Sequence, residues 1–387
     1  MFKGFSLAHL SAGFVAVLVG YTSSAAIIFQ AAHTVGATEA QIASWMWALG
    51  IGMAFSSISL SLYYRLPLLT AWSTPGAALL VTSLAGVSLP EATAAFIFCG
   101  ILITIIGYAG WFERFMHLIP LPLASAMLAG VLLKFGLDAF VSLQHEPVLV
   151  GVMFATFLLM KRLLPRYAIP LTLLVGMALA WFTGMMDLSK LSLQWAEPVF
   201  VMPEMGLQAL LGVGLPLFIV TMASQNIPGV AVLKAHGYEA PLSKTIGLTG
   251  LTTIVLAPFG GYAYNLAAIT AAICMGEEVD KDKAKRYLAS FSAGAFYLVA
   301  GLFGASITSL FLSFPPTLIL AIAGFALIGT IANSLSAAIA DSSEREAALI
   351  VFLVTASGIS LLGLGSAFWG LVFGLIARFW LVQKRAA

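Results

Sequence analysis

Residues 70–80 read TAWSTPGAALL, and Ser73, Thr74, Pro75 and Gly76 interrupt an otherwise apolar run. Serine or threonine ahead of proline is a helix-start signal: the hydroxyl caps a free N–H, and proline is favoured in the first turn. A helix that starts inside a membrane aims its unpaired N–H groups and positive dipole end at one spot, and such a spot suits an anion. A second polar run, TMASQNIPGVAV, brings Ser224, Gln225 and Asn226 just before Pro228. An unpaired amide in hydrocarbon is costly, so Gln225 and Asn226 are expected to line a polar cavity. A third run, PFGGYAYN, ends in Tyr264 and Asn265, and a fourth carries Tyr21, Thr22, Ser23 and Ser24. Trp72 supplies an aromatic face beside the first of these breaks. Together Ser23, Ser24, Trp72, Ser73, Thr74, Pro75, Gly76, Ser224, Gln225, Asn226, Tyr264 and Asn265 form the candidate substrate-binding set. Taken singly, each run is also explained as a kink or as a hydroxyl bonded to its own helix.

Catalytic chemistry has weaker support. The histidines are His9, His33, His117, His145 and His236, all near the ends of apolar stretches or in loops, and none makes an H-E-x-x-H motif. The serine of TASG at 355–358 has no histidine within an apolar stretch to activate it. We expect no enzyme, no metal and no cofactor. Cys99 and Cys274 both fall in apolar runs and read as small packing residues.

The elements that position these residues follow from hydropathy. The chain of 387 residues is 61% hydrophobic and 9% charged. Its mean hydropathy is +1.02. Stretches of about 20 apolar residues recur throughout, which marks a polytopic helical membrane protein. There is no basic or acidic tail of the kind that binds nucleic acid, and the first apolar segment, lacking a small-residue cleavage pattern, is expected to stay in the protein. Fourteen candidate spans can be counted, the third and tenth too short to cross alone. With Lys3 placed in the cytoplasm, fourteen crossings put sixteen of the eighteen Lys and Arg residues on that side, all but Lys134 and Lys190. This is the asymmetry of the positive-inside rule, and it predicts cytoplasmic N- and C-termini.

A repeat runs through the chain. Gly107, Gly110, Pro122, Ala129, Gly130 and Leu133 recur as Gly301, Gly304, Pro316, Ala323, Gly324 and Leu327, each 194 residues on. Each half then holds seven spans, and an odd number inverts the second half, as in secondary transporters. The expected fold is therefore an all-α polytopic membrane protein of 14 transmembrane segments in a 7+7 inverted repeat, with half-helices at spans 3 and 10. Pro75 to Leu84 makes a helix of about 15 Å, half of a hydrocarbon core of about 30 Å. Aligning Ala77-Ala78-Leu79 with Ala267-Ala268-Ile269 sets Thr74 opposite Tyr264 and starts the second half-helix at Asn265. GLVFG at 370–374 fits a small-xxx-small contact, internal or between copies in a homo-oligomer.

The stretches GYTSSAAIIFQAA (20–32), YRLPLLTAWSTPGAALL (64–80), PLFIVTMASQNIPGVAVLKAHGY (216–238), AAITAAIC (267–274) and LVTASGISLLGLGSAFWGL (353–371) resemble the benzoate membrane transporter (BenE) family. The resemblance implies proton-coupled uptake of benzoate or a related aromatic carboxylate across a bacterial inner membrane. More remotely, the chain is similar to uracil/xanthine and sulfate permeases. By that similarity, residues 1–118 and 207–305 (spans 1–4 and 8–11) form a core domain, and residues 119–185 and 306–387 (spans 5–7 and 12–14) form a gate. Uracil-type permeases carry acidic residues near spans eight and ten, where this chain has Gln225 and Tyr264. The proton route therefore stays open between the substrate acid itself, a bound water, and a remote carboxyl such as Asp138, Glu277 or Asp341. An anion carrier or channel without proton coupling is the alternative.

Overall fold

A computed structural model describes residues 5–112, 120–277, 279–362 and 364–382. Lys3, Arg114, His117, Lys384 and Arg385, which entered the charge count or the histidine survey, lie outside them.

The chain is mostly helical. The first half runs α1 (Leu7–Thr34), α2 (Glu39–Tyr64), strand β1 (Thr70–Trp72), α3 (Thr74–Ser83), α4 (Leu89–Tyr108), α5 (Leu121–Val141), α6 (Pro147–Leu163) and α7 (Ala168–Phe182). The second runs α8 (Leu207–Ala235), α9 (Leu242–Leu256), β2 (Tyr264–Leu266), α10 (Ile269–Met275), α11 (Tyr287–Leu302), α12 (Gly304–Leu312), α13 (Pro316–Ile339), α14 (Arg345–Ala356) and α15 (Ser366–Val382). Among the described residues, seven helices are long and apolar enough to cross a membrane unaided, and α11 with α12, bent by 65°, would make an eighth. The remaining apolar helices are shorter than the spans drawn from hydropathy, because glycine, proline and polar residues end them early.

Local chemistry explains the helix starts. Thr38 and Ser88 each open a reciprocal capping box, with Gln41 and Glu91 respectively. Pro122 sits in the first turn of α5 and Pro316 begins α13, as the repeat predicts. Helix α8 contains two π-helical turns, Leu210–Gly214 and Met222–Asn226. Each is followed within two residues by a proline, Pro216 or Pro228, whose missing N–H cannot pair the carbonyl four residues back.

Packing is close where glycines meet. Helix α2 lies on α11 and α4 on α9. A Cβ at Gly50 would stand 2.4 Å from the Gly301 Cα, and one at Gly107 would stand 2.3 Å from the Gly247 nitrogen. Such approach is how helices associate where burial against lipid gives no advantage. Elsewhere α5 packs on α13 and α14, α6 on α7 and α13, and α1 on α3, α10 and α11. Gly370 and Gly374 of α15 face Thr355 and Val351 of α14, so GLVFG serves an internal contact. Cys99 and Cys274 are buried free thiols.

Three expectations change. The fold is not wholly α-helical, because β1 and β2 form a two-stranded antiparallel sheet. The second short helix starts at Ile269 rather than Asn265, which lies in β2. Helix α12 appears between the eleventh and twelfth expected spans. Gly50→Val should overpack the α2–α11 crossing by about 1–3 kcal/mol, lowering the unfolding temperature of the detergent-solubilised protein in a thermal melt.

Candidate functional site

The polar runs meet at the strand pair. Thr70, Ala71 and Trp72 stand opposite Leu266, Asn265 and Tyr264. Ser73 N–H extends the ladder to the Ala263 carbonyl at 3.1 Å, and Ala267 N–H reaches the Leu69 carbonyl at 2.9 Å. Two non-helical chain segments, buried except for the partly exposed Ala71, thus satisfy one another. Ala71 and Asn265, the central pair, are 194 residues apart, the spacing of the six repeated residues. The Ala-Ala-Leu alignment used a spacing of 190, four residues short of this one.

Hydroxyls brace the strands from behind. Thr70 Oγ1 lies 2.6 Å from Ser56 Oγ and 2.8 Å from Ser57 Oγ, while Thr70 N–H donates to Ser57 Oγ at 3.0 Å. Ser61 Oγ donates to the Leu68 carbonyl at 2.8 Å. On β2, Tyr264 N–H donates to Thr253 Oγ1 at 3.1 Å, and the Tyr264 hydroxyl donates to the Ala48 carbonyl at 2.6 Å. The serines of α2 and Thr253 were missed in the sequence. Their signal was the run Ser56, Ser57 and Ser61 on an otherwise apolar helix, which reads equally well as small-residue packing.

Six members of the candidate set are committed to holding this frame. Ser73 is the N-cap of α3: its Oγ accepts from Gly76 N–H at 3.0 Å and from the Thr221 hydroxyl at 3.0 Å. Gly76 is where α3 touches α8, since a Cβ there would meet Leu217 at 2.7 Å. Trp72 Nε1 donates to Ser24 Oγ at 2.8 Å, with the Tyr21 ring edge-on at 4.7 Å. Asn226 Oδ1 accepts from Leu266 N–H at 2.9 Å, tying the π turn of α8 to β2. Tyr264 is fully buried against Gly52 with its hydroxyl engaged, so it braces the site rather than faces it.

The others keep capacity for a ligand. Ser23, Thr74, Ser224 and Gln225 are half-buried. Ser23 Oγ donates to the Gly20 carbonyl at 3.0 Å and retains its lone pairs. Thr74, Ser224 and Gln225 have no side-chain hydrogen bond among the described residues. At the start of α3, Pro75 has no N–H, Gly76 N–H is capped, and Ala77 N–H pairs with the Ser73 carbonyl, which leaves the Thr74 N–H at the mouth. The helix end thus offers one main-chain donor instead of a converging set. Asn265 Nδ2 donates to the Ala263 carbonyl at 3.1 Å, and its Oδ1 is buried with no partner. Among its described residues the arrangement offers hydroxyl and amide donors and no carboxylate, which suits an anion.

Of the remote carboxyls, Asp341 lies in the loop after α13. It accepts from Ser343 Oγ at 2.7 Å and Ser343 N–H at 2.9 Å. The Ser343 hydroxyl and N–H hold its carboxyl below the usual range, so it stays ionised through neutral pH and is a poor proton carrier. Glu277 is exposed just beyond α10, and Asp138 is half-buried on α5.

Two neighbouring amides should behave differently. Asn226→Ala strands the buried Leu266 N–H at a cost of about 1–3 kcal/mol and lowers the melting temperature. Gln225→Ala removes no protein hydrogen bond and leaves the melting temperature unchanged in the same assay.

Comparison with known proteins agrees with this geometry. The family model described as "Benzoate membrane transport protein" (BenE) matches residues 3–380. "Inner membrane protein YdcO" of Escherichia coli (strain K12) is 51% identical over 365 residues, 94% of this chain and 93% of that protein. The "Benzoate membrane transport protein" of Acinetobacter baylyi is 40% identical over 385 residues, 100% of this chain and 98% of that one. Among solved structures, the transmembrane domain of the cyanobacterial bicarbonate transporter BicA superposes with a TM-score of 0.63 at 14% identity, covering 95% of this chain and 97% of that one. Murine Slc26a9, an anion transporter in its inward-facing state, gives 0.66 at 14% identity over 100% of this chain and 69% of that one. The fold is thus that of these transporters, and the chain belongs to the BenE benzoate membrane transport family, as a multi-pass protein of the membrane.

Proposed function

We propose that this protein is a secondary active transporter that takes up benzoate or a related aromatic carboxylate together with a proton, by alternating access. The observation that carries the reading is the braced strand pair, with the unpaired Gln225, Ser224 and Thr74 side chains beside it and no carboxylate among its described residues. A carboxylate ligand needs donors, and these groups supply them without a buried lysine or arginine. Trp72 and Tyr21, packed edge to face, supply the aromatic surroundings that a ring-bearing substrate calls for.

Alternating access rests on a two-fold, inverted relation between the halves. The strand register supports it, because a ladder centred on Ala71 and Asn265 maps onto itself at a spacing of 194. Helix pairing supports it too. Moving each helix by one repeat turns the α4–α9 contact into α11–α2, and α3–α8 into α10–α1. In this reading α1–α4 and α8–α11 carry the site, and α5–α7 and α13–α15 are the gate against which they move.

Coupling follows from what the site lacks. With Gln225 where uracil-type permeases place an acid, the proton travels on the substrate carboxyl, and the buried Asn265 Oδ1 is an acceptor available to an acid O–H or a bridging water. Transport is then electroneutral. The competing reading, an uncoupled anion carrier or channel, draws on the same lack of a titrating side chain. In proteoliposomes, benzoate uptake should rise with an inward proton gradient and move no net charge. Uptake indifferent to the gradient rejects symport, and charge movement with each benzoate selects the uncoupled anion. Hydrogen bonds to a charged ligand contribute about 1.5–3 kcal/mol each, so Gln225→Ala should weaken benzoate binding about tenfold or more, read by isothermal titration.

A further inference from the structure

A cleft of about 200 Å³ opens beside Ile269, three residues beyond the end of β2. Ile269 is the first residue of α10 and is 74% exposed. It is the one described lining residue from α10, and the rest of the wall comes from α6, α7, their connection and α13. Two helical rows build that wall. Phe157 and Lys161 stand four apart on α6, and Phe325 and Asn333 lie along one face of α13 with Gly329 between them. Thr330 flanks that row. Gly329 meets nothing within 4 Å, so the middle of the row is open space. Phe157 and Phe325 stack at 5.6 Å with 17° between their planes, both at least nine-tenths buried, and form a fixed aromatic floor.

The rim above this floor is polar. Lys161 has no carboxylate within ion-pair distance among the described residues. A lysine in the last turn of a helix is accounted for by the helix dipole. That account does not extend to Thr330 and Asn333, which bring a hydroxyl and an amide from a second helix to the same cleft. A cation, an amide and a hydroxyl above an aromatic floor match a ligand with a carboxylate at one end and a ring at the other.

We propose that this cleft is a second binding position for the aromatic carboxylate, a vestibule station on the face that carries Lys161. There the substrate pauses between the strand-pair site and bulk water, with its carboxylate on Lys161 and Asn333 and its ring on Phe157 and Phe325. The proposal rests on the transport reading above and assigns it a directional element. A residue at the central site affects substrate arriving from either side. A vestibule residue affects only substrate arriving through its own opening.

The experiment uses full-length protein in sided proteoliposomes, with benzoate exchange measured separately from each face. Lys161→Gln should raise KM from the Lys161 face by up to about fivefold, the upper end of the range for an exposed ion pair. KM from the opposite face should be unchanged, Lys161→Arg should restore the wild-type value, and Arg162→Gln, one residue along the same turn, should have no effect. Equal KM values for wild type and Lys161→Gln from both faces overturn the vestibule site and leave the transport reading standing. A rise from both faces overturns it as well, by returning Lys161 to the central site or to general attraction. No benzoate exchange by the wild type defeats both readings together.

Discussion

The structure depends on one constraint: a backbone that leaves the helix inside a membrane must still pair every N–H and C=O. Helices α3 and α10 are too short to cross, and the chain leading into each is irregular. Neither lead-in can satisfy itself. Paired as β1 and β2 they satisfy each other, and the ladder continues through Ser73 to Ala263 and Ala267 to Leu69. The sheet is minimal, three residues a strand, yet it joins residues 194 positions apart and fixes where both short helices begin.

Most of the candidate polar side chains divide around that ladder, with Asn265, whose buried Oδ1 is unbonded among the described residues, standing between the two groups. One group keeps it in place: Thr70 with Ser56 and Ser57, Tyr264 with Ala48 and Thr253, Asn226 with Leu266, Trp72 with Ser24. These side chains are buried and their bonding is spent. The second group, Thr74, Ser224 and Gln225 with Ser23 beside them, sits half-exposed with bonding to spare. The π turn at Met222–Asn226 separates the groups within a single helix. Neighbours on a helix point about 100° apart, so Asn226 reaches β2 while Gln225, one residue before it, does not share that contact. Pro228 follows within two residues of the turn, and the Leu266 N–H is what commits Asn226 to the frame and leaves Gln225 free.

The glycine crossings work to the same end. Gly50 against Gly301 and Gly107 against Gly247 bring α2 and α4 within backbone contact of α11 and α9. On α2 itself the serines stand behind β1, and Gly52 admits the Tyr264 ring. Of the four crossing glycines, Gly107 and Gly301 stand 194 residues apart and belong to the repeated set, whereas Gly50 and Gly247 do not.

The chain's composition, its apolar runs and its Ser-Thr-Pro-Gly break were enough to identify a helical membrane protein with a short helix capped at Ser73 or Thr74 and starting at about Pro75, because capping and hydropathy are local and each residue carries its own contribution. The spacing of 194 was legible for the same reason, since glycine and proline keep their positions wherever helices must touch or start. Nothing local announced that Tyr264-Asn265-Leu266 would be strand. Three residues have no hydrogen-bonding partner of their own, and their state was decided by Thr70-Ala71-Trp72 arriving alongside. The roles of Gln225 and Asn226 were equally hidden. Adjacent amides look alike in a sequence, and only the position of Leu266 N–H in space commits one of them and leaves the other free.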